Sequence, residues 1–557
     1  MNKMRFLLVA LTVTLTAVGA KAQNARADYN FHGDVAEITT HEVGQLDKVF
    51  TPETEKRVRA LNIDGPINGD DIKVIQRILK RNNAEDNNGK SINNYVDLDL
   101  RYARIVGGGS SYYGSYRTEH DVVGNSMFMS CSHLRSVVLP ERTRLIGDNA
   151  FRYCNNLEEV RMPRDVRSIG AHAFGSCYGL YRISLPDAVE TLGEGCFENC
   201  SSLRSLDLPR NLREIGPSCF KDTKMTQLNL PRNLTSLGEK ALDNMPIASL
   251  YIPATTKIGN DYPGYLPNLT EFVVESGSRY YTYEDGALFD ASGEVLLLYP
   301  PKRGGAYTVP NGVKSIDASA FASSTLISVS MPSSVNKMGA GVFSNCKYLQ
   351  LCDLSASLKT LPTHTFKGCS NLRTINLPTG LATIGQEAFR ESGLQSVVLP
   401  ASVTSIGQGA FHGCKSLSNV EFGSGLNTIG KEAFRDCQSL TQVVIPSAAT
   451  IEKEAFRGCK SLSVISLPEL LASIGDNAFR ETTIKTLEIP ATVSTIGNKI
   501  AEKCKNLQMI VCRATTPPTL GKVSNNKVQV AVPAGTVEAY KKANHWKEFK
   551  QIVEIGE

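Results

Sequence analysis

The sequence predicts a β-rich solenoid of about 17 units of 22–23 residues. Three observations predict it. A heptad L-x-x-Φ-x-Φ-P, with Φ apolar, recurs in register from Leu134 to Leu507. Phe fills one slot of the unit 13 times, from Phe128 to Phe479. Ten units carry Cys three positions beyond that slot. A unit this short cannot bury its own apolar edge, so the units must stack on one another.

Before the repeats comes a leader. "MNKMRFLLVALTVTLTAVGAKAQ" has Lys3 and Arg5 at its start and an apolar stretch from Phe6 to Ala17. Ala20-Lys21-Ala22 follows as a small-residue cleavage site. Residues 1–22 are therefore expected to be a secretory signal peptide, too short in its apolar part for the ~20 residues a membrane helix needs. No Cys near the cleavage site suggests a lipid-modified N-terminus. With Lys3, Arg5 and Lys21 removed, 57 basic residues face 55 acidic ones. That balance gives no electrostatic reason to expect nucleic acid or an anionic membrane as partner. The mature chain is expected outside the cytoplasm, secreted or on the cell surface, with the periplasm also open and no transmembrane segment.

Within each unit the heptad's fourth and sixth positions are apolar and its third and fifth mostly polar, the two-residue period of a half-buried strand. LRSVVLP from Leu134, LRTINLP from Leu372 and LTQVVIP from Leu440 are examples. Pro ends the strand because it has no N–H for the ladder. A second extended piece follows, such as "VTSIG" (Val403 to Gly407), whose Gly is expected to permit a tight corner. The "AFxxC" piece then returns the chain to the next strand. Stacked in register, the Phe rings should form an aromatic spine along one edge of the core.

All 14 Cys have an address in this repeat. The slot that takes most of them holds Thr223, Met245, Ser324, Ser392 and Thr482 in other units. It therefore wants a compact side chain, and buried, reduced thiols are expected rather than disulfides. No His pair accompanies Cys196 and Cys200 to make a metal site.

The unit resembles the BspA-like leucine-rich repeats of bacterial surface proteins, especially of the Bacteroidetes. "LQSVVLPASVTSIGQGAFHGC" (Leu394 to Cys414) carries the family pattern, and the likeness runs over residues 126–513. The flanks are similar to those of relatives too. "GPINGDDIKVIQRIL" from Gly65 and "YVDLDLRYARIV" from Tyr95 look like an N-terminal helix and irregular first strand. "VQVAVPAGTVEAYKKANHWKEFKQIVEI" from Val528 looks like a closing strand–helix–strand unit. The resemblance thus implies small α+β caps, over 23–125 and 514–557, that shield the apolar ends of the array. One step of 35 residues interrupts the period. There, Asp-Gly and Ser-Gly turn signals within residues 278–301 predict an inserted β-hairpin carrying Tyr280, Tyr281, Tyr283 and Tyr299.

Motifs for chemistry are weak. "NNGKS" (Asn87 to Ser91) lacks the first Gly of a phosphate loop, Ala84 standing in its place. "VGGGSSYYG" from Val106 is expected to be a loop. "NIDGPINGDD" from Asn62 has Pro66 where a calcium loop needs an oxygen ligand, so a turn before a helix is expected. Outward carboxylates Asp207, Asp353, Glu421 and Glu488 occupy separate rungs. The closest two, Glu421 and Glu488, lie three rungs or ~14 Å apart, beyond the ~5–9 Å of a glycosidase pair. No catalytic residue, metal site or cofactor is expected, and the chain reads as a non-enzyme.

The resemblance implies adhesion, with a macromolecular partner on a host or bacterial surface. A glycan-binding role in nutrient uptake is the alternative, with Tyr181, Tyr251 and the hairpin residues Tyr280, Tyr281 and Tyr283 as candidate contacts. The other outward slots, such as Ser136, Ser184, Thr374 and Asn376, are small and polar.

Overall fold

The computed structural model describes residues 22–24, 27–80 and 94–556. The leader up to Lys21 and the "NNGKS" stretch fall outside the described residues. Two compact units are present: Met1–Ile247 with Thr255–Leu266, and Ala248–Ala254 with Pro267–Glu557.

In the first unit the outward sheet runs Val35–Thr40, Ala60–Ile67, Val96–Asp99, Leu134–Val138, Glu159–Arg161 and Arg182–Ser184, all parallel. Two antiparallel strands, Ala22–Asn24 and Ala27–His32, precede it. A second parallel ladder of seven two-residue strands, from Val122–Val123 to Lys257–Ile258, backs it. The helix Gly69–Leu79 buries Ile72, Ile75, Ile78 and Leu79 against this sheet. "NIDGPINGDD" is not a simple turn: Asn62 to Ile67 belong to the strand Ala60–Ile67, and Asn68 then caps the helix, where the Asp71 carboxylate accepts from the backbone N–H groups of Gly44 (2.6 Å), Leu46 (3.0 Å) and Asn68 (3.0 Å). That carboxylate is committed to the fold. "VGGGSSYYG" is not a loop. It supplies the strand Gly108–Tyr113, paired antiparallel with Tyr116–Thr118. Gly109 is required there because a Cβ would sit 2.8 Å from the Asn68 side chain that caps the helix.

The second unit repeats the design. Outward strands include Gly305–Thr308, Leu326–Ser330, Leu351–Asp353, Ser396–Val398, Asn419–Glu421, Gln442–Val444, Val464–Ser466 and Thr486–Ile489. Eight short strands, from Thr360–Leu361 to Thr519–Leu520, form a parallel ladder behind them. The insertion is larger than a hairpin. Tyr281–Glu284, Ala287–Asp290 and Val295–Leu298 form an antiparallel meander whose third strand joins Ser315–Ile316 in parallel. Asp285 and Gly286, at φ 47° and 75°, make the first turn where Asp-Gly signals it. At the C-terminal end Gln529–Val532 and Ile552–Glu554 continue the parallel sheet around the helix Val537–Lys542. Tyr540 and Trp546 are buried there, donating to the carbonyls of Ala514 (2.7 Å) and Pro518 (2.8 Å). Rungs without the heptad at both ends bring the total to about 22 turns, more than the 17 that the sequence pattern spells.

The aromatic spine forms in each unit. Phe128 to Phe220 stack with centroids 5.2–5.7 Å apart and planes within 20°. Phe321 to Phe479 stack likewise at 5.0–6.0 Å and within 18°. Parallel-displaced rings at this spacing follow from the rung repeat, and each ring seals the one before it.

The corners are made differently from the sequence-based expectation. Gly407 is absent from the left-handed region. The turns bend instead two residues before and two after the Phe slot, as at Glu432 (φ 57°) and Asp436 (φ 59°) around Phe434. The repeated Gly serves close approach: a Cβ on Gly407 would lie 2.8 Å from Gln386 N, and one on Gly430 2.5 Å from Ile406 O. The chain needs a residue without a side chain where rungs touch backbone to backbone.

All 14 Cys are free and buried. The slot does more than accept a small group. Sγ of Cys437 donates to Phe411 O at 3.1 Å, and the same bond recurs from Cys154, Cys177, Cys200, Cys346, Cys369, Cys414, Cys459 and Cys504 to the Phe carbonyl of the preceding rung. Thr223 and Thr482 supply a hydroxyl donor to their own rung's Phe carbonyl at 2.9 Å. In these units the slot offers a compact donor to a buried carbonyl; Ser324 and Ser392 instead meet Sγ of Cys346 and Cys414 at 3.3 Å, and Met245 has no donor. Burial pushes the Cys346 and Cys414 thiols up to about 11 and Cys177 to about 12.

Three outcomes follow from this packing. Phe434 is fully buried between Phe411 (5.0 Å) and Phe456 (5.3 Å), so Phe434→Ala is expected to lose ~3–5 kcal/mol in chemical denaturation; a loss under ~1 kcal/mol would contradict the spine. Gly430→Ala, whose new carbon meets an immovable carbonyl, is expected to cost about 1–3 kcal/mol by the same assay. The thiols should resist alkylation in the native protein at pH 8 and react on unfolding. Their raised folded pKa means they favour the fold fully below the unfolded value of about 8.5, and that contribution is lost as pH rises above it. The urea midpoint should accordingly fall between about pH 8 and 11, less steeply when Cys414, Cys437 and Cys459 are changed to Ser.

Candidate functional site

Alternation along each strand puts the fourth and sixth heptad residues in the core and turns the third and fifth outward. Successive rungs therefore lay their outward side chains in rows, and the two units present different rows.

On the first unit the rows are charged and internally paired. Asp97 accepts from Arg135 Nε (3.0 Å) and from the Ser136 hydroxyl (2.7 Å). Glu159 lies 3.3 Å from Arg161 and 3.8 Å from Arg182. Asp99 meets Arg101 at 3.4 Å. Burial, reinforced by the neighbouring Asp99 and Glu37 carboxylates, raises the Asp64 pKa above its ordinary value. Tyr181 stands exposed in this face beside Arg182.

On the second unit the outward rows hold large aliphatic side chains. Leu351, Val398, Val444 and Val464 are 49%, 57%, 58% and 56% exposed. Backbone pairing fixes their order, with Val398 opposite Glu421, Gln442 opposite Val464 and Val444 opposite Ser466. An open hollow of about 480 Å³ adjoins Val464 alone of the four, lined also by Ser466, Glu469, Lys485, Glu488 and Arg513. Glu488 is paired with Arg513 at 3.0 Å. Glu421 has no ion pair among the described residues; its side chain is approached at 3.5 Å by the Asn419 amide. Sequence reading emphasised the small polar slots and passed over these valines, because a β-branched residue in a strand looks like core. Their odd-numbered heptad positions were the available signal.

The candidate tyrosines have different fates. Tyr251 and Tyr283 are exposed, at 38% and 45%. Tyr280 is half-buried beneath the Arg279 guanidinium, 5.0 Å from its ring centre. Tyr281 is 4% exposed and lies 6.2 Å from Tyr280. Tyr299 is buried with Tyr307 on Phe321. The insertion thus uses two of its rings, Tyr281 and Tyr299, for packing, and Tyr281 presents no surface to a partner.

The edge over the Phe spine is charged as well, but self-satisfied. Glu387 accepts from Lys367 (2.8 Å) and Arg390 (2.9 Å), while Glu454 meets Arg435 (3.2 Å) and Arg457 (2.8 Å). Burial works against the Glu387 carboxylate, yet these cations outweigh it and hold its pKa below the ordinary value. His412 sits between Glu432 and Asp436, and burial with nearby Arg390 and Arg435 lowers its pKa. Among the described residues no three His, Cys, Asp or Glu side chains converge as metal ligands would.

A family model described as "BspA type Leucine rich repeat region (6 copies)" matches residues 121–274, 306–403 and 382–508. No curated protein matches the chain. Among solved structures it is similar to a leucine rich cell surface protein from Faecalibacterium prausnitzii, at 24% identity and a TM-score of 0.50, covering 72% of this chain and 94% of that one. It is also similar to a leucine-rich repeat protein from Bacteroides ovatus (22% identity, TM-score 0.36, 76% and 92% covered). A third, from Eubacterium ventriosum, gives 23%, 0.44, 59% and 84%. At these identities the likeness speaks to the fold alone.

Proposed function

Because this chain belongs to the BspA-type leucine-rich repeat family, we propose that it is an exported binding protein that attaches to a macromolecule on host or bacterial surfaces through the outward strands of its second unit. Proteins of this family are secreted or held at the cell surface, and among the described residues no helix is long and apolar enough to cross a membrane.

The observation that carries the reading is the set of exposed aliphatics on Leu351, Val398, Val444 and Val464. Each sits on a strand laddered to a neighbouring rung, which limits the backbone ordering that binding would require. Burying such groups against a partner is favourable by roughly 1.5 kcal/mol or more per side chain. The paired charges of the first unit and of the spine edge offer less, because their partners are already present. A glycan receptor for nutrient uptake is the second reading, supported by the exposed rings of Tyr181, Tyr251 and Tyr283.

Purified mature protein should bind immobilised host matrix proteins or intact bacteria. Changing Val398, Val444 and Val464 to Ser should weaken that binding by about tenfold per residue while leaving the melting temperature unchanged. Binding to a glycan array that is lost with Tyr251→Ala and Tyr283→Ala, and no protein binding, would replace adhesion by the glycan reading.

A further inference from the structure

The second unit's outward face has a charge pattern that selects its partner. In the four consecutive rungs that begin at Leu394, Leu417, Leu440 and Leu462, the second, third and fifth slots contain a single charged residue, Glu421. It stands exposed, cross-strand from Val398, and the next rung carries Val444 at the equivalent slot. Basic residues return only in the flanking rungs, as Arg373 and Lys485. Among the described residues of the strand faces, Asp97, Glu159 and Glu488 are paired with Arg135, Arg161 and Arg513, while Asp207 and Asp353 in other rungs share with Glu421 the lack of an ion pair. What distinguishes Glu421 is its row, where Val398 and Val444 occupy the equivalent slots of the adjacent rungs and its one hydrogen-bonding neighbour among the described residues is the Asn419 amide at 3.5 Å.

We propose that this face binds a protein segment that presents one Lys or Arg among aliphatic side chains, the cation meeting Glu421 and the aliphatics covering Val398, Val444 and Val464. The inference rests on reading this face as the binding surface and names the chemistry of what it binds. The physical reason is desolvation. A partner that covers the valines also takes water from Glu421, and a buried carboxylate without a counter-charge costs several kcal/mol. A neutral or acidic segment would incur that cost, and a basic one would remove it. The same argument disfavours a second copy of this chain: a two-fold contact centred on this patch would set Glu421 against Glu421. Sugar hydroxyls would satisfy the carboxylate but leave the valines facing polar groups.

The test uses the full mature chain and immobilised synthetic peptides with a Val/Ile frame and a central Lys, Arg, Ser or Glu. Lys and Arg peptides should be retained about tenfold more than Ser peptides, and Glu peptides least. Glu421→Gln should abolish the preference for Lys over Ser, and Glu421→Lys should reverse it in favour of Glu peptides, with melting temperatures unchanged. Equal retention of Lys, Ser and Glu peptides would overturn the proposal, as would a preference that survives Glu421→Lys. So would retention of no peptide, or sedimentation showing a dimer that Val444→Lys dissociates. Failure here is separable from failure of the adhesion reading. Binding to matrix proteins or bacteria that needs the valines but ignores Glu421→Lys would sink this proposal and keep adhesion. Peptide selection without any binding to those surfaces would do the reverse.

Discussion

Backbone-to-backbone contact between successive rungs is the constraint on which the rest of the structure depends. Gly430 N donates to Ile406 O at 2.9 Å, and Phe434 N to Ala455 O at 2.8 Å, so each turn of chain is bonded to both neighbours. At that spacing a Cβ on the repeated Gly has nowhere to go. The Phe rings have one way to lie, stacked face on displaced face at 5–6 Å. The Phe carbonyl beneath them is buried, and the Cys Sγ of the next rung is the donor that reaches it. Gly, Phe and Cys recur because the spacing to the next rung requires no Cβ at one slot, a flat ring at another and a compact donor at a third.

Much of this was legible in the sequence, because the core pays attention to residue type at every turn. The heptad, the Phe slot and the burial of the Cys follow from periodicity. What escaped notice lies where side chains vary. The left-handed residues around Phe434 are Glu432 and Asp436, whereas around Phe456 they are Glu454 and Gly458; no single letter marks a conformation held by the rungs on either side. The repeated Gly was visible, yet its reason was not, since a Gly that turns and a Gly that makes room look alike in one sequence. Strands such as Val35–Thr40 and Gln529–Val532 continue the stack without the heptad, so counting the heptad understates the turns. The candidate site was the least legible part. Tyr281 and Tyr283 differ by two positions in the chain, but one is buried by the meander and the other is not.

Surface charge divides along the same geometry. Stacking in register places like positions of neighbouring rungs about 5 Å apart, so a repeated acidic slot would set carboxylates against one another. Along the spine edge the chain answers this by alternating sign: Arg435 lies between Glu432 and Glu454, and Arg480 between Glu481 and Glu502. On the first unit's strand face Arg135 and Arg161 do the same for Asp97 and Glu159. These networks contribute modestly to stability, and they leave their surfaces electrostatically quiet.

The rungs from Leu394 to Leu462 depart from that rule in both respects, with exposed valines that the core does not use and a carboxylate that the chain does not pair. Val398, Val444 and Val464 leave more than half of their surface in water, and Glu421 gains no cation among the described residues. Side chains left largely in water are less constrained by the core and freer to be set by what lies outside. The interior of this protein is fixed by the rung beneath it. Under the proposed reading a partner acts on the second unit's outward face, and function is sought in the slots that break the pattern rather than in those that repeat it.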